Sequence, residues 1–304
     1  RVGGGSTVTR RQIAAVLAIL LGLGVAVSAL LGPLVLGVIR FRTSPALEMQ
    51  FVGGEMISLG LVAPLLVLAG IAWWQGRGVA PVLAIGPALY AVYTYITAVA
   101  GQEYDRYPGN VERFFPLYTL LVAGGAALAA LATPDIARVP AAALPARLRR
   151  ALGWLLAGIG AFFALAWIGQ VRLVLTGEPT TEYTEGPTLF WLIKVLDLGI
   201  VIPALLATGI GLLRGHPSAV RAAIAAGPFA ACLGGAVAAM AVAMAFTGDP
   251  SAQPAMIAVA VPLALALAML AARIVVAVQR AFPGGDDPLR ARARPPGRAP
   301  PAMR

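Results

Sequence analysis

The chain has 304 residues, 59% of them hydrophobic and 12% charged, with a net charge of +10 and a mean hydropathy of +0.84. Soluble domains carry about a quarter charged residues, so this composition excludes an ordinary water-soluble globule. The single cysteine, Cys232, excludes an intrachain disulfide and a CxxC motif, and the single histidine, His216, excludes bis-histidine haem ligation and the usual zinc sites, so no metal and no cofactor is expected.

The apolar residues fall into long blocks rather than alternating or forming one stripe, and blocks of about 18 or more read as membrane spans. Eight are expected, over 13–39, 50–74, 79–100, 114–132, 151–175, 188–213, 221–246 and 255–278. The first follows Arg10-Arg11. Val27-Ser28-Ala29 within it loosely resembles a signal cleavage site, but the run continues to Ile39, which favours an uncleaved helix. The second block contains Glu55, Ser58 and a mid-span Pro64. The third contains Tyr90, Tyr93, Thr94, Tyr95 and Thr97, and a charged, aromatic loop follows it. Most of these aromatics fit an interfacial belt. Tyr90, Thr94 and Thr97 share a helical face and are candidates to line a polar cavity.

The fifth block carries Arg172 just before its end, and the loop after it carries Glu178, Glu182 and Glu185. Three carboxylates there read as a solvated acidic loop, with no calcium-loop spacing. The sixth block contains Lys194, Asp197 and Pro203. The seventh and eighth hold almost no polar side chains, and Gly234, Gly235, Ala238 and Ala239 suit close helix packing. The tail from Phe282 to Arg304 is rich in Pro, Gly and Arg and is expected to be disordered.

The fold class expected is therefore all-α: a polytopic integral membrane protein of eight transmembrane helices. Its net charge would suit nucleic acid, but the basic residues sit between spans, so no nucleic-acid partner is expected. With the N-terminus cytoplasmic, only Arg40, Arg42, Arg106, Arg113, Arg172 and Lys194 fall away from the inner side. The positive-inside rule thus favours cytoplasmic N- and C-termini in a multi-pass protein, with Arg40 and Arg42 as exceptions. The arginine, alanine and glycine bias suggests a GC-rich bacterium, hence a bacterial plasma membrane.

An offset of 139 residues aligns two stretches without gaps. Gly60-Leu-Val-Ala-Pro64 meets Gly199-Ile-Val-Ile-Pro203, and Arg10-Arg11 meets Arg149-Arg150. With a two-residue slip, Gly86-Pro87 meets Gly227-Pro228. This suggests a 4+4 parallel internal repeat, its halves related by an axis along the membrane normal. The organisation expected is a cytoplasmic segment 1–12, a first half 13–132, a linker 133–150, a second half 151–278 and a basic tail 279–304.

Few charges lie within the spans. Lys194 and Asp197, spaced i, i+3 on one helix face, lie roughly 9 and 14 Å below the end of their span at about 1.5 Å per residue. Glu55 lies at similar depth, and Arg172 just below the end of its own span. An unpaired charge at a span centre costs about 2.5–3.5 kcal/mol, so mutual pairing is expected. The offset makes Glu55 the equivalent of Lys194, and Ser58 that of Asp197. With spans two and six near the axis, a Glu55–Lys194 pair follows, with Asp197 a second partner for Lys194 and for Arg172.

Three function classes remain. The first is an ion- or proton-linked small-solute transporter using Glu55, Lys194, Asp197, Arg172 and Ser58, with the lipid bilayer and a small solute or ion as partners. The second is a non-catalytic scaffold or complex subunit with a structural ion pair. The third is a lipid-modifying enzyme with Asp197 or Glu55 as general base. It is the weakest, because no second catalytic group, nucleophile–base pair, P-loop or dinucleotide fingerprint is visible. A water-connected cavity at Lys194 would favour the first, and a dry pair with an apolar groove elsewhere the second.

Overall fold

A computed structural model describes residues 9–246 and 254–281. Among them every regular element is helical, and eight helices are long and apolar enough to cross a membrane. We number them α1 (Arg10–Leu31), α2 (Pro45–Trp74), α3 (Ala80–Ala100), α4 (Val111–Ile136), α5 (Ala146–Leu175), α6 (Pro187–Leu213), α7 (Pro217–Phe246) and α8 (Pro254–Ala281). This is consistent with a multi-pass membrane protein. The expected disorder of the tail falls almost wholly on 282–304, outside the described residues.

Local chemistry sets the helix ends. Thr9 caps α1 in a capping box with Gln12. Ser44 caps α2 by accepting from the Leu47 N–H, with Pro45 in its first turn. The first span is shorter than expected: α1 stops at Leu31, eight residues before Ile39. Gly32-Pro33 ends it, because a residue preceding proline is pushed out of the α region. The residues from Pro33 to Ile39 instead form a compact turn that passes through Gly37 at φ 60°, with Val35 and Leu36 exposed.

Helices α2 and α6 are not uniform. Ser58–Val62 and Asp197–Val201 are π-helical. The Ala63 N–H reaches back to the Ser58 carbonyl, and the Ile202 N–H to the Asp197 carbonyl. Pro64 and Pro203 follow at once. A proline ring clashes with the carbonyl four residues before it, and a widened turn relieves that clash. Each proline thus follows a π turn, a feature that frequently marks functional sites.

Helix α3 is the most buried of the eight, and α8 the least. At the centre α3 crosses α7, where a Cβ on Gly86 would collide with Pro228 and the Phe229 backbone. The first half of α2 also lies on α7, with Gly53 against the Met240 backbone. Helix α1 packs on the second half of α2, and α5 on the second half of α6. Helix α3 pairs with α4, and α7 with α8. The expectation that α2 and α6 adjoin is corrected: α3 and α7 hold the centre, because Gly86 allows their backbones to close together.

The connections 32–44, 101–110 and 176–186 share one end of the bundle, here the distal face. The start of α1, the end of α8 and the connections 75–79, 137–145 and 214–216 share the other, the terminal face. On the distal face, Asn110 Oδ1 accepts from the Arg40 N–H at 2.8 Å and Asn110 Nδ2 donates to the Val38 carbonyl at 2.9 Å. Glu103 accepts from the Thr188 N–H at 2.6 Å, tying the connection 101–110 to the start of α6. On the terminal face, Arg10 on α1 pairs with Asp135 on α4.

Candidate functional site

The described residues hold two separate buried charge clusters. The larger gathers on the first half of α6. Lys194 is 2% exposed. Its ammonium donates to Glu182 Oε1 at 3.3 Å. It also lies 3.7 Å from the centre of the Trp167 ring and 4.4 Å from that of Phe190. A desolvated ammonium over an aromatic face gains about 2 kcal/mol, so three walls share the task of holding this charge.

Asp197 starts the π segment one turn further along. Its Oδ1 accepts from the Tyr93 hydroxyl at 2.9 Å, and its Oδ2 from the Trp167 indole N–H at 2.7 Å. Trp167 therefore serves both charges, its ring face towards Lys194 and its N–H towards Asp197. The two charges are joined through this ring rather than by direct contact. Gln170, one turn beyond Trp167 on α5, has a buried Oε1 with no hydrogen-bond partner.

Glu55 forms the second cluster. Its Oε2 accepts from the Leu34 N–H at 2.9 Å, and its carboxylate fills the space beside Gly32 where a side chain would otherwise sit. The π segment of α2 lies just beyond. Ser58 is buried there beside the Tyr90 hydroxyl, which donates to the Gly54 carbonyl at 3.2 Å. Helix α3 thus touches both π segments, through Tyr90 on one side and Tyr93 on the other.

The expected Glu55–Lys194 pair is not formed. Each charge is satisfied within its own neighbourhood, because α3 and α7 stand between α2 and α6. A double-mutant cycle on Glu55→Gln and Lys194→Met should therefore give additive destabilisation, within about 0.5 kcal/mol, measured by unfolding in mixed micelles. Coupling well above that would contradict the separation.

Arg172 is also not brought to Asp197. It lies exposed in the last turn of α5, and Asp197 takes its donors from Tyr93 and Trp167 instead. Tyr90 and Thr97 are buried, and the Thr97 hydroxyl donates to the Thr94 carbonyl at 2.8 Å. Two open hollows on the molecule lie at the terminal face, away from Lys194. The Lys194 side chain itself is shielded from solvent.

Sequence reasoning missed Trp167, Phe190, Tyr93 and Glu182 as partners. Glu182 lay in a loop that read as solvated, yet the short helix Thr181–Glu185, capped by Thr180, turns it inward. Arg42, which runs against the charge bias of the loops, is held by Glu112 through Nε at 3.0 Å and Nη2 at 2.6 Å. This bond to Glu112 raises the Arg42 pKa above its ordinary value. Compared with known proteins, the chain matches no family model, no curated protein and no solved structure.

Proposed function

We propose that the chain is an ion- or proton-linked small-solute transporter of a bacterial plasma membrane, with both termini cytoplasmic and the distal face outside. The observation that carries this reading is the Lys194 ammonium, buried among Trp167, Phe190 and Glu182 and one helical turn from Asp197. A cage of rings and carboxylates that holds one ammonium has the chemistry to hold another cation. Loss of the Lys194 proton would leave that cage to a solute or ion. Two further features support the reading. Ionisable groups within spans default to function because of their cost, and Asp197 opens a π turn. The counter-charge Glu182 comes from a distal connection and is partly exposed at 29%, which gives a route of access from outside.

The proposed organisation keeps two four-helix halves, 13–132 and 151–278, joined by 133–150. The π segments support it, since Ser58–Val62 and Asp197–Val201 are themselves 139 residues apart. So does the packing of α1 on α2 matched by that of α5 on α6. The halves then differ where it matters: the π segment begins at Ser58 in one and at Asp197 in the other, and α3 of the first half meets both, through Tyr90 and Tyr93.

A second reading, a subunit of a larger membrane complex, draws support from the outward faces of α5 and α8. Phe162, Leu165, Val259 and Met269 are exposed there, and Lys194 is buried. Accessibility separates the two readings. Phe190→Cys in a Cys232→Ser background puts one thiol at the edge of the cage. Transport predicts modification by a small charged methanethiosulfonate added from the distal side. A thiol that stays unmodified at every pH would favour the subunit.

A further inference from the structure

We infer that the terminal-face end of the groove between α5 and α8 binds an anionic phospholipid, its phosphate on Arg147, Arg273 and Arg280 and an acyl chain along the groove. This site lies at the opposite end of the bundle from Lys194 and does not depend on the transport reading.

The hollow there has a volume of about 640 Å³, within the range of small-molecule sites. Three arginines line it together with Leu148, Val276 and Ala277. None of the three makes an ion pair among the described residues. No Asp or Glu occurs anywhere in α5 or α8, so neither wall supplies a counter-charge.

The first four helices handle the corresponding place differently. There α1 and α4 pack together, and Arg10 meets Asp135 and the Leu131 carbonyl. Arg138 adds a second contact to Asp135 at 3.1 Å. That corner is closed and neutralised from within. Between α5 and α8 contact is slight, the gap is open, and among the described residues that line it the only charges are positive.

The missing anion must then come from outside these helices, and its chemistry follows from the walls. Guanidinium groups fit a phosphodiester bidentately. Apart from the arginines, the walls are Ala, Val, Leu and Pro145, which suit a hydrocarbon chain and add no polar contact for a free, hydrated anion. Basic clefts between membrane helices are a known setting for acidic lipid headgroups. Arg273 lies eight residues before Ala281, about 12 Å along the helix, so its side chain reaches towards the interface from within the apolar layer.

The test is native mass spectrometry of the delipidated full chain, titrated with phosphatidylglycerol, with phosphatidylcholine, and with soluble glycerophosphoglycerol. One tight site for phosphatidylglycerol is expected, weaker by roughly a hundredfold in R147Q/R273Q/R280Q, at about fivefold per surface arginine. The charge-matched control R77Q/R150Q/R221Q should keep it. Ala277→Phe, which fills the groove and leaves every charge in place, should weaken it at least tenfold. Equal binding of both lipids, equal losses in the two triple variants, full affinity in Ala277→Phe, or equal competition by the soluble headgroup would each overturn the proposal. Thermal unfolding in neutral detergent identifies any variant whose loss reflects misfolding, and Ala277→Phe then decides alone.

Discussion

Lys194→Met is expected to abolish solute-driven ion movement while costing clearly less stability than Lys194→Ala. Methionine keeps the length of the lysine stem and its contacts with Trp167 and Phe190. The partner left behind, Glu182, is partly exposed and can rehydrate. Asp197 keeps its bonds from Tyr93 and Trp167. Lys194→Ala should behave differently. It removes the packed stem as well as the charge, leaving a cavity between the two rings, and truncations of that size cost about 2–5 kcal/mol. Reversible unfolding in mixed micelles would measure both variants. A loss for Lys194→Met as large as that for Lys194→Ala would mean that the ammonium holds the fold together. That outcome belongs to a structural role for the charge.

The second large effect is expected at the crossing of α3 and α7. Gly86→Val should destabilise the chain by about 3 kcal/mol or more, because the new side chain meets Pro228 and backbone rather than a movable side chain. The crossing also fixes Tyr93 against Asp197 and Tyr90 against the Ser58 segment. The same variant should therefore disturb both π segments, read as faster amide exchange at Ser58–Val62 and Asp197–Val201. Gly60→Ala makes a control, since a Cβ there meets nothing. Protection unchanged in Gly86→Val would show that α3 does not brace the two segments.

Much of this architecture is legible in the sequence, for definite reasons. Eight apolar blocks are a strong signal because a bilayer leaves backbone groups no other partner. The i, i+3 spacing of Lys194 and Asp197 places them correctly on one helix face. What hydropathy cannot see is a turn made of apolar residues. Leu34 to Ile39 are as apolar as the span before them, and only Gly32-Pro33 marks the break.

The partners of the charges are harder still. Depth and the 139-residue offset made Glu55 the natural partner of Lys194. Neighbourhood, however, depends on which helices close together, and one glycine, Gly86, sets that. Trp167 sits in an apolar stretch of α5 with nothing to distinguish it from a lipid-facing indole. Its position over Lys194 follows from the packing of α5 on α6, which no local pattern carries. Pro64 and Pro203 announce a disturbance in their helices, but not that it takes the form of a π turn beginning at Ser58 and Asp197.

Participation of the Lys194–Asp197 cage in the proposed ion-linked solute movement is open to direct measurement. The most direct measurement uses proteoliposomes loaded with a pH-sensitive dye and challenged with a panel of small organic cations, zwitterions and neutral solutes. A solute-dependent pH change is expected with the parent chain, absent in Lys194→Met and in Asp197→Asn, and retained in Arg172→Gln, whose side chain stands apart from the cage. A solute-dependent signal of the same size in Lys194→Met and Asp197→Asn, or none from the parent chain with any solute, would contradict it.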